Sequence, residues 1–492
     1  MDTGKNRKLV FSAPLQPLSP TVLTIFGATG DLMATYLLPA LHNMDMEGLL
    51  PENFKLVCVG RREFSAREFL DFVVSKSEHL KKLSTPKHRK HFLRHLTYYR
   101  ADFEDPKSFA QLSQLLSDSD AAGHACFNRL YYIASNPRYF ASIATMLEQS
   151  GLLNSCLAHN RDTRILVEKP FGSNLKSAKL LNKLLLKYFT EEQIYRIDHY
   201  LGKETVQNLI VARFANGLFE PLWNKDHVSH IEISALELDT VKTRGEFYNQ
   251  TGALKDFVQN HLLQLLALVT MNEPKNLTAE HIRREKLNIL KALKPFGSRE
   301  LKSQITLGQY KGYVRDIGKV SRTETYAALK VFIGNKRWSG VPIYLRTGKA
   351  LPRKVAEISV HFKEPVRCLF QGCGANTLTF QIQPEESVRL SINNKIPGFG
   401  IRLHQAHLDF SFKNFTAQIP AAYERLLLDF MQGDQRLFIS SAETEAAWKF
   451  MDSVTENALF NKLPLHTYNP GSRGPKEAED LINKDMKEWW TK

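Results

Sequence analysis

The run TVLTIFGATGDLMATYLLPALHNM, which starts at Thr21, constrains this chain more than any other stretch. Thr21 to Phe26 is a nearly unbroken apolar run of the kind that buried parallel strands require. Gly27 and Gly30 frame a tight turn, and the apolar spacing beyond them reads as a helix. Strand, glycine turn and helix N-terminus in that order cradle a pyrophosphate on backbone N–H groups. The motif is GxxG, because Met33 stands at the third glycine position, so an ordinary turn is the competing reading. The next strand decides against it. KLVCVG ends at Gly60 and is followed by Arg61 and Arg62, where an NAD site usually places an acid against the ribose 2′-hydroxyl. Arginine there favours the extra phosphate of NADP.

Two more apolar strands, NRLYYIA (128–134) and TRILVEKPFG (163–172), are separated by helical patterns, which argues for a doubly wound parallel sheet of Rossmann-like type. Loops at the carboxyl ends of its strands should line a cofactor crevice: Ser135, Asn136 and Pro137 after one, Glu168, Lys169 and Pro170 after another. Pro170 pushes Lys169 out of helical geometry, which fixes where this strand-end lysine points. From His230 the period changes to two in HIEISALEL, with Ile231 and Ile233 alternating against polar neighbours. Similar segments recur at Ile358–Phe362, Leu378–Ile382, Val388–Ile392 and Leu408–Phe412 and read as half-buried antiparallel strands. The expected fold class is therefore α/β plus α+β. Residues 1–197 form the dinucleotide domain, and residues 198–492 form a second domain on a large, mainly antiparallel sheet flanked by helices.

The boundary falls on RIDHYLGKE (196–204), where six polar functional groups crowd into nine positions. A solvated helical face is the plain alternative, since ion pairs there are worth only a few tenths of a kcal/mol. If helical, however, the stretch gathers Arg196, His199 and Lys203 on one face, a poor arrangement for stability and a good one for an anion. Ligand sites favour domain interfaces. Further on, KDFVQNHLLQLLALV (255–269) reads as an apolar helix carrying His261, which taken alone is a satisfied core histidine.

Composition excludes several classes. With 492 residues, 43% hydrophobic and 24% charged, the chain is globular and long enough for two cores. A net charge of +15 raises a nucleic-acid or membrane-surface reading. Its most basic stretch, KKLSTPKHRKHFLRH from Lys81, reads instead as a solvated amphipathic helix with Phe92, Leu93 and Leu96 inside, and carries no nucleic-acid motif. Positive charge suits anionic small substrates equally well. Five cysteines without a CxxC pair indicate neither a disulfide framework nor a metal site, which fits a reducing cytoplasm. No signal peptide or membrane span is expected.

GATGDL, EKPFG, RIDHYLGKE, KDFVQNHLLQLLALV, LRTGKAL and YNPGSRGP occur in the order and rough spacing found in glucose-6-phosphate dehydrogenases, and the resemblance covers nearly the whole chain. EKP alone is shared with the broader glucose-fructose oxidoreductase-like group, the runner-up among enzymes. The resemblance implies oxidation of glucose 6-phosphate at C1 to the 6-phosphogluconolactone, the oxidative branch of the pentose phosphate pathway, with NADP as hydride acceptor. It implies His261 as general base and Asp198 as its partner, with His199, Tyr200 and Lys203 on the phosphate. Glu237 and Asp256 match sugar-hydroxyl acceptors, and Lys169, Lys349 and Gln383 further substrate contacts. For the cofactor it implies Gly27, Thr29, Gly30 and Asp31 in the turn, Arg61 on the 2′-phosphate, and Lys169. It also implies a homodimer or homotetramer, with the second domain serving dimerisation, and no nucleic-acid partner.

The chain departs from the family in two places. A lysine-rich run commonly follows the glycine turn, whereas Ala34, Thr35 and Tyr36 stand here, and Arg473 replaces a usual Trp. The loss of that cation leaves room for a second hypothesis, a weak relative that binds sugar phosphate or NADP as a sensor. A basic nucleic-acid-binding protein, resting on net charge alone, is the third.

Overall fold

The computed structural model describes residues 18–77, 80–81, 91–92, 94–123, 126–154, 162–241, 245–414 and 419–490. The chain divides into two compact units, one of residues up to Ile165 with Met431–Gly433, the other of Leu166–Phe430 with the stretch from Asp434. Strands β1 (Thr21–Phe26), β2 (Phe54–Gly60), β3 (Leu96–Arg100), β4 (Asn128–Ile133), β5 (Thr163–Val167) and β6 (Ile194–Arg196) form a six-stranded sheet in the order β3-β2-β1-β4-β5-β6. β1 pairs in parallel with both β2 and β4. Every residue of β1 and β4 is buried, which is why neither sequence alternates. The strand order reverses between β1 and β4, the position at which open sheets of this kind bind ligands.

The second sheet has nine strands: β7 (Val228–Leu236), β8 (Ile305–Tyr310), β9 (Tyr326–Val331), β10 (Ile343–Gly348), β11 (Val355–Phe362), β12 (Thr377–Gln383), β13 (Ser387–Lys395), β14 (Leu403–Ser411) and β15 (Leu465–Tyr468). Their order is β14-β13-β12-β11-β7-β10-β9-β8-β15. The β7–β10 and β8–β15 pairs are parallel and the others antiparallel. The sheet is mixed and mostly antiparallel, as expected.

Four expectations need correction. RIDHYLGKE is not helical: β6 ends at Arg196, a turn follows, and the helix Glu204–Phe214 starts only after Lys203. Arg196 is buried and paired with the half-buried Glu191 at 2.8 Å, so it is engaged there and does not join His199 and Lys203. The polar positions of β7 are not solvated, because His230, Glu232 and Ser234 are all buried. A buried polar face alternates in sequence just as a wet one does. Leu96, read as the inner side of a helix, instead opens β3, while Leu93 and most of that basic stretch lie outside the described residues. Cys368 and Cys373 are joined as a disulfide across a five-residue separation, and Cys58 is a buried free thiol. This pair is wider than the CxxC spacing, and its presence corrects the expectation of no disulfide.

Candidate active site

In the first unit, the glycine turn is built as the sequence suggests. Gly27 has φ +92°, and a Cβ there would come within 2.8 Å of Ala134 O and of the Ser135 backbone, so only glycine fits against the end of β4. The Gly30 N–H donates to Gly27 O at 3.0 Å and closes the turn. A Cβ on Gly60 would meet the Thr29 methyl at 3.1 Å, which places Thr29 beside the end of β2. Ser135 Oγ is buried with no partner of its own. Asp31 is exposed at the helix start and lies 3.7 Å from Lys76.

Arg61 extends from the end of β2 and donates to the Tyr139 hydroxyl at 3.1 Å. Arg138 donates to the same hydroxyl at 2.5 Å, so two guanidiniums share one phenol. The sequence reading missed Arg138, although its place in the loop after β4 was the available signal. The helix beyond the turn is π-wound over Met33–Leu37, where Tyr36 is 48% exposed.

The second unit holds the remaining candidates. The helix carrying His261 is π-wound over Leu254–Leu262 and continues as an α-helix over Leu263–Thr270. Five residues apart lie about 140° away from each other on an α-helix, but i→i+5 winding stacks them on one face. Asp256 and His261 are so related, and both meet Lys169. Its Nζ donates to Asp256 Oδ1 at 3.2 Å and to Asp256 O at 3.1 Å, and lies 2.8 Å from His261 Nε2.

The helix is clamped at both ends. Its terminal carbonyls accept from the indoles of Trp223 and Trp338, each at 2.7 Å, and from Arg213, while Glu324 Oε1 accepts the Leu254 N–H at 3.0 Å. These partners satisfy groups that a helix leaves unpaired at its termini.

His261 Nδ1 lies 2.6 Å from Asp198 Oδ1, and both side chains are buried. Asp198 also accepts the Tyr200 N–H at 2.9 Å, which fixes the carboxylate within the turn. Burial disfavours the charged form of Asp198, but His261 and the hydrogen bonds outweigh it and hold the pKa down to about 2. Burial lowers the His261 pKa, as does Lys169, against the opposing pull of Asp198. The pair is thus an ionised acid and a neutral imidazole, with Nδ1–H donating to the acid and the Nε2 lone pair facing the lysine.

Tyr200 stacks on the His261 ring at 4.5 Å, and His199 meets it edge-on at 4.7 Å. Burial raises the Tyr200 pKa, helped by Glu237, Asp198 and Asp256, so its phenol is a neutral donor among those three acids. His199 is held well below its ordinary pKa by burial and by the neighbouring His261, Lys169 and Lys203. Lys203 is half-buried, and burial lowers its pKa. It precedes a helix N-terminus, but Glu386 already accepts the Thr205 N–H there at 2.6 Å.

Lys349 donates to Glu237 Oε2 at 2.5 Å at the ends of β10 and β7, with its ammonium 4.9 Å from the Tyr248 ring centroid. Burial disfavours ionisation of Asp256, yet Lys169 and Lys349 together hold its pKa down. The structure therefore brings together Lys169, Asp198, His199, Tyr200, Glu237, Asp256, His261 and Lys349. Gln383 ends β12, half-buried, two positions beyond Gln381, whose carbonyl accepts from Thr205.

The chain matches the family models described as "Glucose-6-phosphate dehydrogenase, NAD binding domain" over residues 24–208 and "Glucose-6-phosphate dehydrogenase, C-terminal domain" over residues 210–490. It is 39% identical to the glucose-6-phosphate 1-dehydrogenase of Treponema pallidum (strain Nichols), with 96% of this chain and 95% of the relative covered. It is also 39% identical to that of Bacillus subtilis (strain 168), covering 95% and 98%. A solved structure described as glucose-6-phosphate dehydrogenase in complex with its substrate glucose-6-phosphate superposes with a TM-score of 0.87 at 30% identity, covering 96% of this chain and 99% of that one. That of the Mycobacterium avium enzyme gives 0.82 at 32%, with the same coverage. Fold and site together define a dinucleotide-dependent dehydrogenase. The chain belongs to the glucose-6-phosphate dehydrogenase family.

Proposed function

We propose that this chain oxidises glucose 6-phosphate at C1 to the 6-phosphogluconolactone, with His261 as the general base. The observation that carries the reading is the buried Asp198–His261 pair at 2.6 Å, which leaves one basic nitrogen, Nε2, to receive a proton. An alcohol proton needs a base poised near neutrality, and a carboxylate on Nδ1 both fixes the tautomer and stabilises the imidazolium that forms. Lys169 donates to Nε2 here, so the C1 hydroxyl takes over that contact while the lysine keeps its bonds to Asp256. His199, Tyr200 and Lys203 hold the 6-phosphate. Glu237, Asp256, Lys349 and Gln383 take the sugar hydroxyls.

NADP fits the residues of the first unit. Gly27, Thr29, Gly30 and Asp31 would hold the pyrophosphate end, beside the unpartnered Ser135 Oγ, and Arg61 the 2′-phosphate. Lys169 is a further candidate contact. Bound NADP supplies the hydride acceptor.

We place the working domain boundary at 197/198 and a homodimer or homotetramer as the assembly, with the chain serving the oxidative pentose phosphate branch; the Cys368–Cys373 disulfide removes the cysteine argument for a reducing cytoplasm. Leu408 and Phe410, exposed on the edge strand β14, support a partner subunit. Among the described residues no helix is long and apolar enough to cross a membrane.

The test compares Lys203→Ala with the parent on glucose 6-phosphate and on free glucose. Loss of kcat/KM on the phosphorylated sugar alone supports the assignment, and equal loss on both returns Lys203 to a structural role.

A further inference from the structure

His230 and Glu232 are two apart on β7, and His361 on β11 stands directly opposite His230 in the antiparallel register. Side chains two apart on a strand and opposite each other across a pair share one face of the sheet. Here that face is buried. His230 Nε2 and His361 Nε2 lie 3.4 and 3.0 Å from Glu232 Oε1, and all three atoms are buried without a hydrogen-bond partner.

The other polar atom of each side chain is engaged. His230 Nδ1 lies 3.3 Å from Ser229 Oγ, His361 Nδ1 3.2 Å from Thr377 Oγ1, and Glu232 Oε2 accepts the Trp490 N–H at 2.8 Å. In the tautomer whose Nδ1–H groups face those hydroxyls, both Nε2 lone pairs are left beside the carboxylate oxygen. Three electron-rich atoms then share a dry place, an arrangement that suits a cation among them.

We propose that His230, Glu232 and His361 form a zinc-binding site with three protein ligands. Bonds of 2.0–2.1 Å to a tetrahedral ion put ligand atoms about 3.3–3.4 Å apart, close to the two histidine–carboxylate separations of 3.4 and 3.0 Å. Two imidazoles and a carboxylate are a borderline donor set suited to that ion, and His361 and Glu232 already have outer partners, Thr377 and the Trp490 N–H, to fix their orientation. The two rings are stacked at 4.1 Å and 5°, so His230 must turn about χ2, a soft torsion, giving up its longer contact to Ser229 while His361 keeps Thr377. Nearby cations hydrogen-bond elsewhere, Arg346 with Ser234 and the Trp490 carbonyl and Lys487 with Ser229, although the Arg346 charge also acts on Glu232. Since Glu232 also holds the Trp490 backbone, the ion ties the C-terminal segment to the large sheet. The site is separate from the oxidation proposed above and does not rest on it.

The full chain is stripped with EDTA, reloaded with Zn²⁺, freed of excess by gel filtration, and its metal counted. The parent is expected to retain one zinc that His361→Gln loses, and Thr377→Val to bind it about 10–100-fold more weakly through loss of the outer partner alone. The control is His95→Gln, from a half-exposed trio with Asp45 and His91, which is expected to keep the zinc. Melting of the unsubstituted stripped chain, with and without Zn²⁺, gives a readout that needs no variant to fold, and zinc is expected to raise it. A parent that retains no zinc, zinc kept by His361→Gln, or zinc lost by His95→Gln overturns the proposal.

Discussion

Lys169 Nζ lies 2.8 Å from His261 Nε2 while Asp198 Oδ1 lies 2.6 Å from Nδ1, so the imidazole is held between a cation and an acid. The two neighbours act on the ring in opposite directions. Asp198 stabilises the imidazolium and Lys169 opposes it, with burial adding to the lysine's effect. The base is therefore kept neutral until the proton arrives.

Removing the lysine should move the acid limb of the reaction. A base works above its own pKa, and Lys169→Ala deletes a charge that lowers it, so the limb of log kcat/KM against pH should shift to higher pH. The comparison is a steady-state pH profile of parent and variant on glucose 6-phosphate. An unmoved limb with reduced kcat would mean that Lys169 acts on the substrate alone.

Cofactor choice should rest on two arginines. Arg61→Ala should weaken NADP binding and leave NAD binding nearly unchanged, because a charge-assisted pair to the 2′-phosphate is lost. Arg138, which shares the Tyr139 hydroxyl with Arg61, should add to the effect in the double variant. The ratio of kcat/KM for NADP and NAD reads this directly. An unaltered ratio in the double variant would count against both assignments.

Tyr36 and His261 separate an active enzyme from a silent binder. Loss of a general base costs about 10²- to 10⁴-fold, so His261→Asn should lose most turnover and retain calorimetric glucose 6-phosphate binding. A phenol cannot stand in for an ammonium at neutral pH, and Tyr36→Lys should raise kcat/KM. No turnover in the parent, restored by Tyr36→Lys, would favour the sensor reading.

Much of the frame was legible in the sequence because burial leaves a simple trace. β1 and β4 are buried at every position and read as apolar runs, and Gly27 announces a turn that no Cβ can enter. Three features were not legible. The π winding of Leu254–Leu262 follows the same apolar spacing as an α-helix, yet it alone stacks Asp256 on His261. The Lys169–His261 contact joins residues 92 apart, which no local pattern encodes. On β7, alternation marks two faces without saying which is wet, and the polar one is buried against Trp490. The disulfide of Cys368 and Cys373 was not legible either, because two cysteines five apart carry no spacing signature of their own.

The final prediction concerns Glu324, which caps the helix of His261. Its carboxylate accepts the Leu254 N–H and occupies the space that a Cβ on Gly252, at φ +63°, would enter at 2.3 Å. Burial pushes its pKa up from 4.5 to about 7, against the smaller pull of its backbone hydrogen bonds and Lys255. A carboxyl raised in the folded state stabilises the fold fully below its unfolded pKa and loses that contribution as pH rises through the folded one. At about 1.4 kcal/mol per unit, stability should fall by roughly 3 kcal/mol between pH 4.5 and 7 on this account. Glu324→Gln keeps an oxygen to accept the N–H and cannot ionise, so its decline over that window should be shallower by about this amount. Glu357, also pushed up to about 7 by burial, titrates in the same range in both proteins, so the difference between them isolates Glu324. Urea unfolding at pH 5 and pH 8 gives the comparison, and parallel declines in parent and variant would show that Glu324 is ionised at no cost. Gly252→Ala provides the steric half of the test: it should destabilise the fold and lower kcat together, since the displaced cap releases the helix that sets the Asp198–His261 distance.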